Sequence, residues 1–217
     1  MVALVLCTMG LVSGCTTPSP APKPTDLSPT VMETPELVWL DDREPSSTLE
    51  DDERVRTIRA AEIGRTMAWN SGDFTIAQLT ESATRGHIAA WVRAYRSDGE
   101  GRPYDPGPAP FEPLELLEEF EDGGGVVQVC KPSLGLSWMF DTIDSFDERH
   151  GQIGRGASTW RVTVVREDGR LKVADRDPRG GESCDVSGVA VGLFDPEPAA
   201  PDVPPEEPVR APLFESS

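Results

Sequence analysis

The residues with the clearest capacity for proton transfer lie together between Phe140 and His150. Asp144, Asp147 and His150 follow one another at intervals of three residues, so a helix would place the two carboxylates on one face. A carboxylate, alone or with a histidine, can act as a general base when an apolar surround tunes its pKa. The same acidic run is typical of a solvated loop, and that interpretation is preferred. These side chains are therefore candidates, and no catalytic residue is assigned.

The rest of the chain contains no motif that assigns a cofactor or a metal. His87 stands at the start of a helical pattern, where a position at the polar boundary explains it without catalysis. Neither His87 nor His150 has cysteine partners at a recognised metal-ligand spacing. A glycine-rich phosphate loop and a nucleophile elbow are also missing from the sequence. We expect no cofactor and no metal.

The first fifteen residues form an uncharged, mostly apolar run that ends in Val12-Ser13-Gly14-Cys15. Its apolar core of about eleven residues is shorter than the roughly twenty needed to span a bilayer. The ending resembles the lipobox of bacterial lipoproteins, which implies a signal peptide over residues 1–14 and acyl chains such as palmitate on Cys15. No Lys or Arg precedes the core, so we expect the start codon to lie further upstream. The alternative is an apolar N-terminus with a buried cysteine.

The chain is acidic, with 38 Asp and Glu against 20 Lys and Arg and a net charge of −18. Such a charge repels phosphate backbones and anionic lipid headgroups, which argues against nucleic acid as a partner and against membrane adhesion by charge. Acyl chains on Cys15 must then attach the protein to the lipid bilayer, and two chains suffice for stable anchoring. We expect an exported protein on the outer face of the cell membrane.

Proline-rich segments at both ends of the 217-residue chain leave one domain between them. We expect a lipidated, Pro-rich tether over residues 15–50, a single domain over 51–188 and an acidic, disordered tail over 189–217. Within the tether, the apolar run Leu37-Val38-Trp39-Leu40 is predicted to dock on the domain, because an isolated tether would gain nothing from a tryptophan.

The cysteines predict one disulfide bond. Cys7 lies in the signal peptide and Cys15 takes the lipid, which leaves Cys130 and Cys184 as a pair in an oxidising compartment. A bond between them would close a loop of about 55 residues and stabilise the fold by about 4 kcal/mol at most. The alternative is a pair of free buried thiols, which is less favoured outside the membrane.

Hydrophobic periodicity predicts helices in the first part of the domain and strands in the second. The predicted elements are a helix over 51–69 ended by Asn70-Ser71-Gly72, helices over 74–80 and 85–96, a helical turn over 114–120 and a strand over 126–130. The strongest β signal is a late hairpin, two alternating strands joined by a turn that contains Asp168-Gly169. Trp160, Val162 and Val164 are predicted to share one face of it. The pattern indicates an α+β fold.

The order of a long helix, the corner Trp69-Asn-Ser-Gly-Asp-Phe74, further helices and a late hairpin is similar to the nuclear transport factor 2-like family. The resemblance implies N-terminal helices packed on a curved, cone-like antiparallel sheet that encloses a pocket. Its candidate lining or filling residues are Trp69, Trp91, Trp138 and Trp160. The family also includes cyclase-like and isomerase-like enzymes, which place an Asp or an Asp–His pair in the cone.

Two functions of different class follow from these features. The favoured one is a surface-anchored, non-enzymatic envelope lipoprotein that binds a small apolar ligand or a protein partner of the envelope. The alternative is an exported cyclase- or isomerase-like enzyme with a carboxylate or a histidine in the cone pocket. A deep cavity with a buried carboxylate or histidine would favour the enzyme, whereas a cone filled by its tryptophans would exclude it.

Overall fold

The computed structural model describes residues 29–97, 105–132, 157–178, 182–196 and 210–212. Within these ranges the fold is α+β, with helices packed against antiparallel sheets. The helices are α1 (Glu53–Ser71), α2 (Ala77–Ser82) and α3 (Arg85–Ser97), and the strands are β1 (Glu36–Trp39), β2 (Glu112–Glu119), β3 (Gly125–Pro132), β4 (Ala157–Glu167), β5 (Arg170–Asp177) and β6 (Gly192–Asp195). The predictions for the signal peptide, Cys15, Trp138, Asp144, Asp147 and His150 concern residues outside the described ranges. None of the described helices is long and apolar enough to cross a membrane.

Strands β2 to β5 form an antiparallel sheet in the order β2-β3-β4-β5. The late hairpin predicted from the sequence is confirmed, because β4 and β5 pair on either side of Asp168-Gly169. Both turn residues have positive φ, 54° for Asp168 and 78° for Gly169, as a two-residue hairpin turn with a right-handed twist requires. Val162 and Val164 are buried on one face, as their alternation predicted.

Helix α1 crosses the sheet and forms one side of the main core. Its bounds lie within two residues of the predicted range 51–69. Asp52 caps the first turn by accepting a hydrogen bond from the Arg54 N–H at 2.8 Å. Gly72, with φ of 69°, ends the helix in the left-handed conformation. The buried residues of this layer are Val55, Ile58 and Ala61 from the helix, Val127, Val129, Val162, Val164, Leu171 and Val173 from the sheet, and Phe111. The sheet face toward α1 is called the inner face.

A second core cluster lies where the end of α1 meets α2 and α3. Its buried members include Met67, Trp69, Leu79, Ile88 and Val92. Helix α3 agrees with the prediction, whereas α2 begins at Ala77 rather than at Phe74. Asp73 is the reason: its Oδ1 accepts hydrogen bonds from the Thr75 N–H at 2.9 Å and from the Thr75 hydroxyl at 2.6 Å. These bonds fix a turn ahead of the helix.

The helical turn predicted over 114–120 is wrong, because Glu112–Glu119 form strand β2. Leu and Glu favour a helix locally, but β2 pairs with β3 along its length, and this pairing provides partners for the backbone groups on the β3 side of the strand. Two β-bulges, one of them between Pro113 and Glu115, interrupt the alternation that would have indicated a strand. Tertiary pairing therefore overrides the local preference of this segment.

Strand β1 shows that the apolar run in the predicted tether belongs to the folded unit. It pairs antiparallel with β6, with Leu37 opposite Phe194 and Trp39 opposite Gly192. The predicted docking of this run is thus confirmed. Both strands lie outside the range 51–188 expected for the domain, so the folded unit extends beyond that range at both ends.

Two isolated bridges attach the ends of the described chain to one corner, between α1 and α2. On the N-terminal side Thr30 bridges Ile76, and on the C-terminal side Arg210 bridges Asp73. An ion pair of 3.0 Å between Arg210 Nη1 and Asp73 Oδ2 accompanies the second bridge. The corner predicted from Asn-Ser-Gly-Asp therefore receives a strand-like contact from each end.

The predicted disulfide bond is confirmed, since Cys130 in β3 is bonded to Cys184. Their Cα atoms are 5.9 Å apart, and 54 positions separate them in the sequence. Cys130 is fully buried, and the bond ties the end of β3 to the segment that leads into β6.

The close contact between α1 and α2 depends on Gly64. A Cβ at this position would lie 2.8 Å from both the backbone N and the Cα of Leu79. Backbone atoms of a packed helix cannot move aside as a flexible side chain can, so Gly64→Ala should lower the free energy of unfolding by about 1–3 kcal/mol in urea denaturation. The control is Gly86→Ala in α3, where nothing lies within 4 Å of the new Cβ. The free energy of unfolding of Gly86→Ala should be unchanged or higher by up to about 1 kcal/mol. Equal losses in the two variants would contradict the steric role of Gly64.

Candidate functional site

The inner face of the sheet changes from aliphatic to charged and aromatic at one end. Opposed residues in an antiparallel pair share a face, and Val129 lies opposite Trp160 while Val162 lies opposite Arg176. Trp160 and Arg176 therefore continue the valine-lined inner face. Lys131 also lies on the inner face, because side chains alternate along a strand and Lys131 is two residues after Val129. This end of the inner face is the candidate functional site.

Glu62 lies at the centre of the site. It follows Ile58 by one helical turn on α1, which places it on the buried side of the helix, and it is only 2% exposed. Its Oε1 accepts from Lys131 Nζ at 2.9 Å and from Arg176 Nη1 at 3.0 Å. Its Oε2 is 3.4 Å from Arg65 Nε. Three cations thus converge on one buried carboxylate.

A second carboxylate, that of Asp105, completes the arrangement. Its Oδ2 lies 2.9 Å from Arg65 Nη2. Asn70 fixes its position, donating from Nδ2 to the Asp105 carbonyl and accepting at Oδ1 from the Asp105 N–H, both at 2.8 Å. We call the following set the charge cluster: Glu62, Arg65, Asp105, Lys131 and Arg176. With three cations and two anions, its net charge is +1.

Burial and neighbouring charges both shift the pKa values of the charge cluster. Burial would raise the pKa of the Glu62 carboxyl, but Arg176, Lys131 and Arg65 outweigh it and hold that pKa well below its usual range. Burial lowers the pKa of Lys131 and that of Arg176, and Glu62 opposes both shifts. Burial also acts to lower the pKa of Arg65, but Asp105 and Glu62 leave it raised. Glu62 is therefore ionised at neutral pH.

Two tryptophans form aromatic walls beside these charges. The Cζ of Arg176 is 4.9 Å from the ring centroid of Trp91, and the Nζ of Lys131 is 5.2 Å from that of Trp160. Both distances fall within the range of a cation–π contact. The ring of His87 meets Trp91 edge-on, with centroids 4.2 Å apart. The site therefore combines paired charges with apolar surface.

Of the four tryptophans predicted for a pocket, Trp91 and Trp160 lie at the site. Trp69 does not, because it is buried in the second core cluster and packs edge to face on Tyr95, with centroids 5.2 Å apart. Trp138 and the catalytic candidates Asp144, Asp147 and His150 lie outside the described residues. Among the described residues, no group of three or more His, Cys, Asp or Glu side chains could hold a metal ion.

The guanidinium of Arg176 is only partly satisfied. Its side chain is 9% exposed, and Nη1 donates to Glu62. Its Nε and Nη2 are buried and have no hydrogen-bond partner in the part of the chain that the structure describes. The Nε2 of His87 is also buried and has no hydrogen-bond partner among the described residues. A buried donor left without a partner costs about 1–3 kcal/mol, so such a group calls for a ligand or a water to complete it.

Sequence reasoning did not find the charge cluster, although the signal was present. In β3, Val127 and Val129 alternate inward and Lys131 occupies the next inward position. In α1, Glu62 follows the buried Ile58 by four residues. A charged residue in phase with a buried face is rare unless it is paired, and this pattern would have indicated the site.

Comparison of the chain with known protein families, with curated proteins and with solved structures finds no match. Convergent polar groups beside aromatic surface can orient and contact a small molecule.

The pKa of His87 predicts a pH dependence of stability. Burial lowers this pKa to about 4, and Arg176 adds to the shift, whereas Asp175 and Glu62 oppose it. The ring has a pKa of about 6.5 in the unfolded chain, so between pH 6.5 and pH 4 the unfolded state binds a proton that the folded state does not. The free energy of unfolding should therefore fall as the pH falls through this window, by about 1–2 kcal/mol after allowance for the partial exposure of the ring.

The variant His87→Phe keeps a ring against Trp91 and removes this titration. Urea denaturation at about pH 7, 5.5 and 4 should give a smaller loss of stability for the variant than for the wild type. Parallel losses in the two proteins would contradict the assignment of this pH window to His87.

Proposed function

We propose that the protein is a bacterial envelope lipoprotein, held on the outer face of the cell membrane by acyl chains on Cys15, whose domain binds a small ligand without catalysis. Two features support export: the sequence Val12-Ser13-Gly14-Cys15, and the disulfide bond, since such bonds persist in oxidising compartments. The observation that carries the binding role is the buried and partly unpartnered guanidinium of Arg176.

The proposal includes a cone-like sheet of the nuclear transport factor 2-like type. In its support, α1 lies across a four-stranded antiparallel sheet, and register shifts interrupt the β2–β3 and β4–β5 pairs. Such bulges bend a sheet and increase its twist. The aliphatic core fills one end of the inner face, which leaves the charged and aromatic end to bind a ligand.

A small ligand fits this end better than a protein partner does. At this end, the buried polar atoms without a partner in the described chain are Nε and Nη2 of Arg176 and Nε2 of His87, so the occupant must enter between the elements that surround them. Trp91 and Trp160 offer apolar surface to the body of such a molecule. The ligand is therefore amphipathic, with an apolar body and one polar group.

The described charges suit binding better than proton transfer. Both oxygens of Glu62 already accept from cations, and its low pKa makes it a weak base. A pKa of about 4 makes His87 a weak base at neutral pH as well. These two groups therefore give the cyclase- or isomerase-like alternative no suitable base.

The lipid anchor is tested by replacing the acceptor thiol. In cells expressing the full chain, Cys15→Ser should move the protein from the membrane fraction to the soluble or secreted fraction. The matched control, Cys7→Ser, changes a thiol in the leader and should leave the protein in the membrane fraction. Unchanged retention of the Cys15 variant would overturn the anchoring role.

The binding role is tested without assuming the chemistry of the ligand. Protein extracted gently from the envelope should show an adduct in native mass spectrometry that disappears under denaturing conditions. Arg176→Gln should reduce the adduct, whereas the control Arg161→Gln, at an exposed position of β4, should retain it. A bare protein mass from the wild type would overturn the binding role, and a co-purified protein in its place would favour the protein partner.

A further inference from the structure

We propose that the ligand carries a carboxylate, which binds the open edge of the Arg176 guanidinium. This inference rests on the proposed ligand-binding function and specifies its chemistry. The ligand class is a small carboxylic acid with an aromatic or aliphatic body.

The position of the two open donors favours a carboxylate. Nη1 of Arg176 is held by Glu62 at 3.0 Å, and the donors without a partner in the described chain are Nε and Nη2. These two nitrogens lie on one edge of the planar guanidinium, and their N–H bonds point in parallel. Two parallel donors match the two oxygens of a carboxylate in a bidentate pair. A single carbonyl or hydroxyl oxygen would leave one of the donors unpaired.

The charge of the site favours a monoanion. The charge cluster holds Arg65, Lys131 and Arg176 against Glu62 and Asp105, which leaves one positive charge in excess. His87 is neutral above its pKa of about 4 and adds no charge at neutral pH. A bound carboxylate would bring the net charge to zero, whereas a neutral ligand would leave a buried cation partly uncompensated. A bound phosphate dianion would give the charge cluster and its ligand together a net charge of −1.

The aromatic walls define the rest of the ligand. Trp91 lies against both Arg176 and His87, so a carboxylate on Arg176 would sit beside the indole face and the unpartnered Nε2 of His87. Trp160 provides a second ring near Lys131. A compact body of the size of a phenyl or indole ring can contact these surfaces while its acid group meets the guanidinium.

The test compares acids with amides of the same shape. The probes are phenylacetate with phenylacetamide, and indole-3-acetate with indole-3-acetamide, with inorganic phosphate as the competing anion. Calorimetric titration of the purified full-length lipoprotein in detergent should show each acid binding at least about tenfold more tightly than its amide. Phosphate should bind more weakly than either acid.

A variant tests the bidentate contact. Arg176→Lys keeps the positive charge but offers one point donor in place of a planar edge, so the preference for acid over amide should fall to within about threefold. Arg161→Lys, on the exposed side of β4, should keep the full preference. Circular dichroism confirms folding of both variants, and the acid–amide comparison on the wild type needs no variant.

The outcomes separate this inference from the proposed function. If acids and amides bind equally, or phosphate binds as tightly as the acids, the carboxylate is overturned and ligand binding stands. If no acid binds while native mass spectrometry still shows an adduct, the inference alone fails. If no probe binds and native mass spectrometry shows no adduct, both the carboxylate inference and the proposed ligand-binding function fail.

Discussion

Glutamine in place of Glu62 is expected to lower the free energy of unfolding by about 3–5 kcal/mol, because removing one partner of a buried ion pair leaves the others uncompensated. Lys131 and Arg176 would lose the carboxylate that accepts from them at 2.9 and 3.0 Å, and both would stay buried. Glutamine preserves the volume of the side chain, so the loss reports the charge rather than a cavity. Urea denaturation at neutral pH measures it.

The matched control is Glu81→Gln. Glu81 also pairs with an arginine, with Oε2 2.7 Å from Arg170 Nη1, but both side chains are more than half exposed. Exposed pairs of this kind contribute at most about 1 kcal/mol. Losses of similar size at Glu62 and Glu81 would contradict the central role of Glu62 in the charge cluster.

The pH profile gives a second readout of the Glu62 variant. The pKa of Glu62 is lower in the folded state than its ordinary value of 4.5, so its contribution to stability is present above that pH. The contribution is lost progressively as the pH falls further, because the unfolded chain then takes up the proton first. Glu62→Gln should lack this part of the acid destabilisation while retaining the part that begins near pH 6.5 and belongs to His87.

Removing the disulfide bond is the second large change, with an expected loss of about 2–4 kcal/mol. The bond closes a loop between residues separated by 54 positions, so the unfolded chain gains considerable freedom when it is cut. The double variant Cys130→Ala/Cys184→Ala tests this by thermal and urea denaturation. Because Lys131 is next to Cys130 in β3, the variant should also increase the mobility of the end of β3 that carries this lysine.

Reduction and alkylation provide the controls for the disulfide prediction. A thiol reagent should leave Cys130 and Cys184 of the native protein unlabelled until a reductant is added. The reductant should destabilise the wild type and have no effect on the double variant. Equal stability of the wild type and the variant would contradict the prediction.

Local patterns predicted the elements that depend on local interactions. Helix α1 was found from its hydrophobic periodicity and its stop at Asn70-Ser71-Gly72, and the β4–β5 hairpin from Asp168-Gly169, because each signal lies within or next to the element it defines. Strand β2 was missed because its conformation depends on pairing with β3, and its bulges break the alternation. The start of α2 was misplaced because Asp73 caps a turn rather than the helix.

The charge cluster could not be assembled from the sequence for a similar reason. Glu62, Asp105, Lys131 and Arg176 come from four separate segments, and strand register decides that Arg176 lies opposite Val162 rather than one residue away. A shift by one residue would turn that guanidinium to the other face of the sheet. Periodicity could indicate that a charge faces inward, but only the register identifies its partners.

Among the described residues, the bridge between Thr30 and Ile76 is the first contact that a pull from the N-terminal side would load. Tension that enters from the N-terminal side first meets two backbone hydrogen bonds, Thr30 N–H to Thr75 at 3.2 Å and Ala77 N–H to Thr30 at 3.0 Å. The next resistance is the four-residue β1–β6 pair. Neither contact includes a residue of the charge cluster. Opening them would therefore lengthen the N-terminal segment without breaking an ion pair of Glu62.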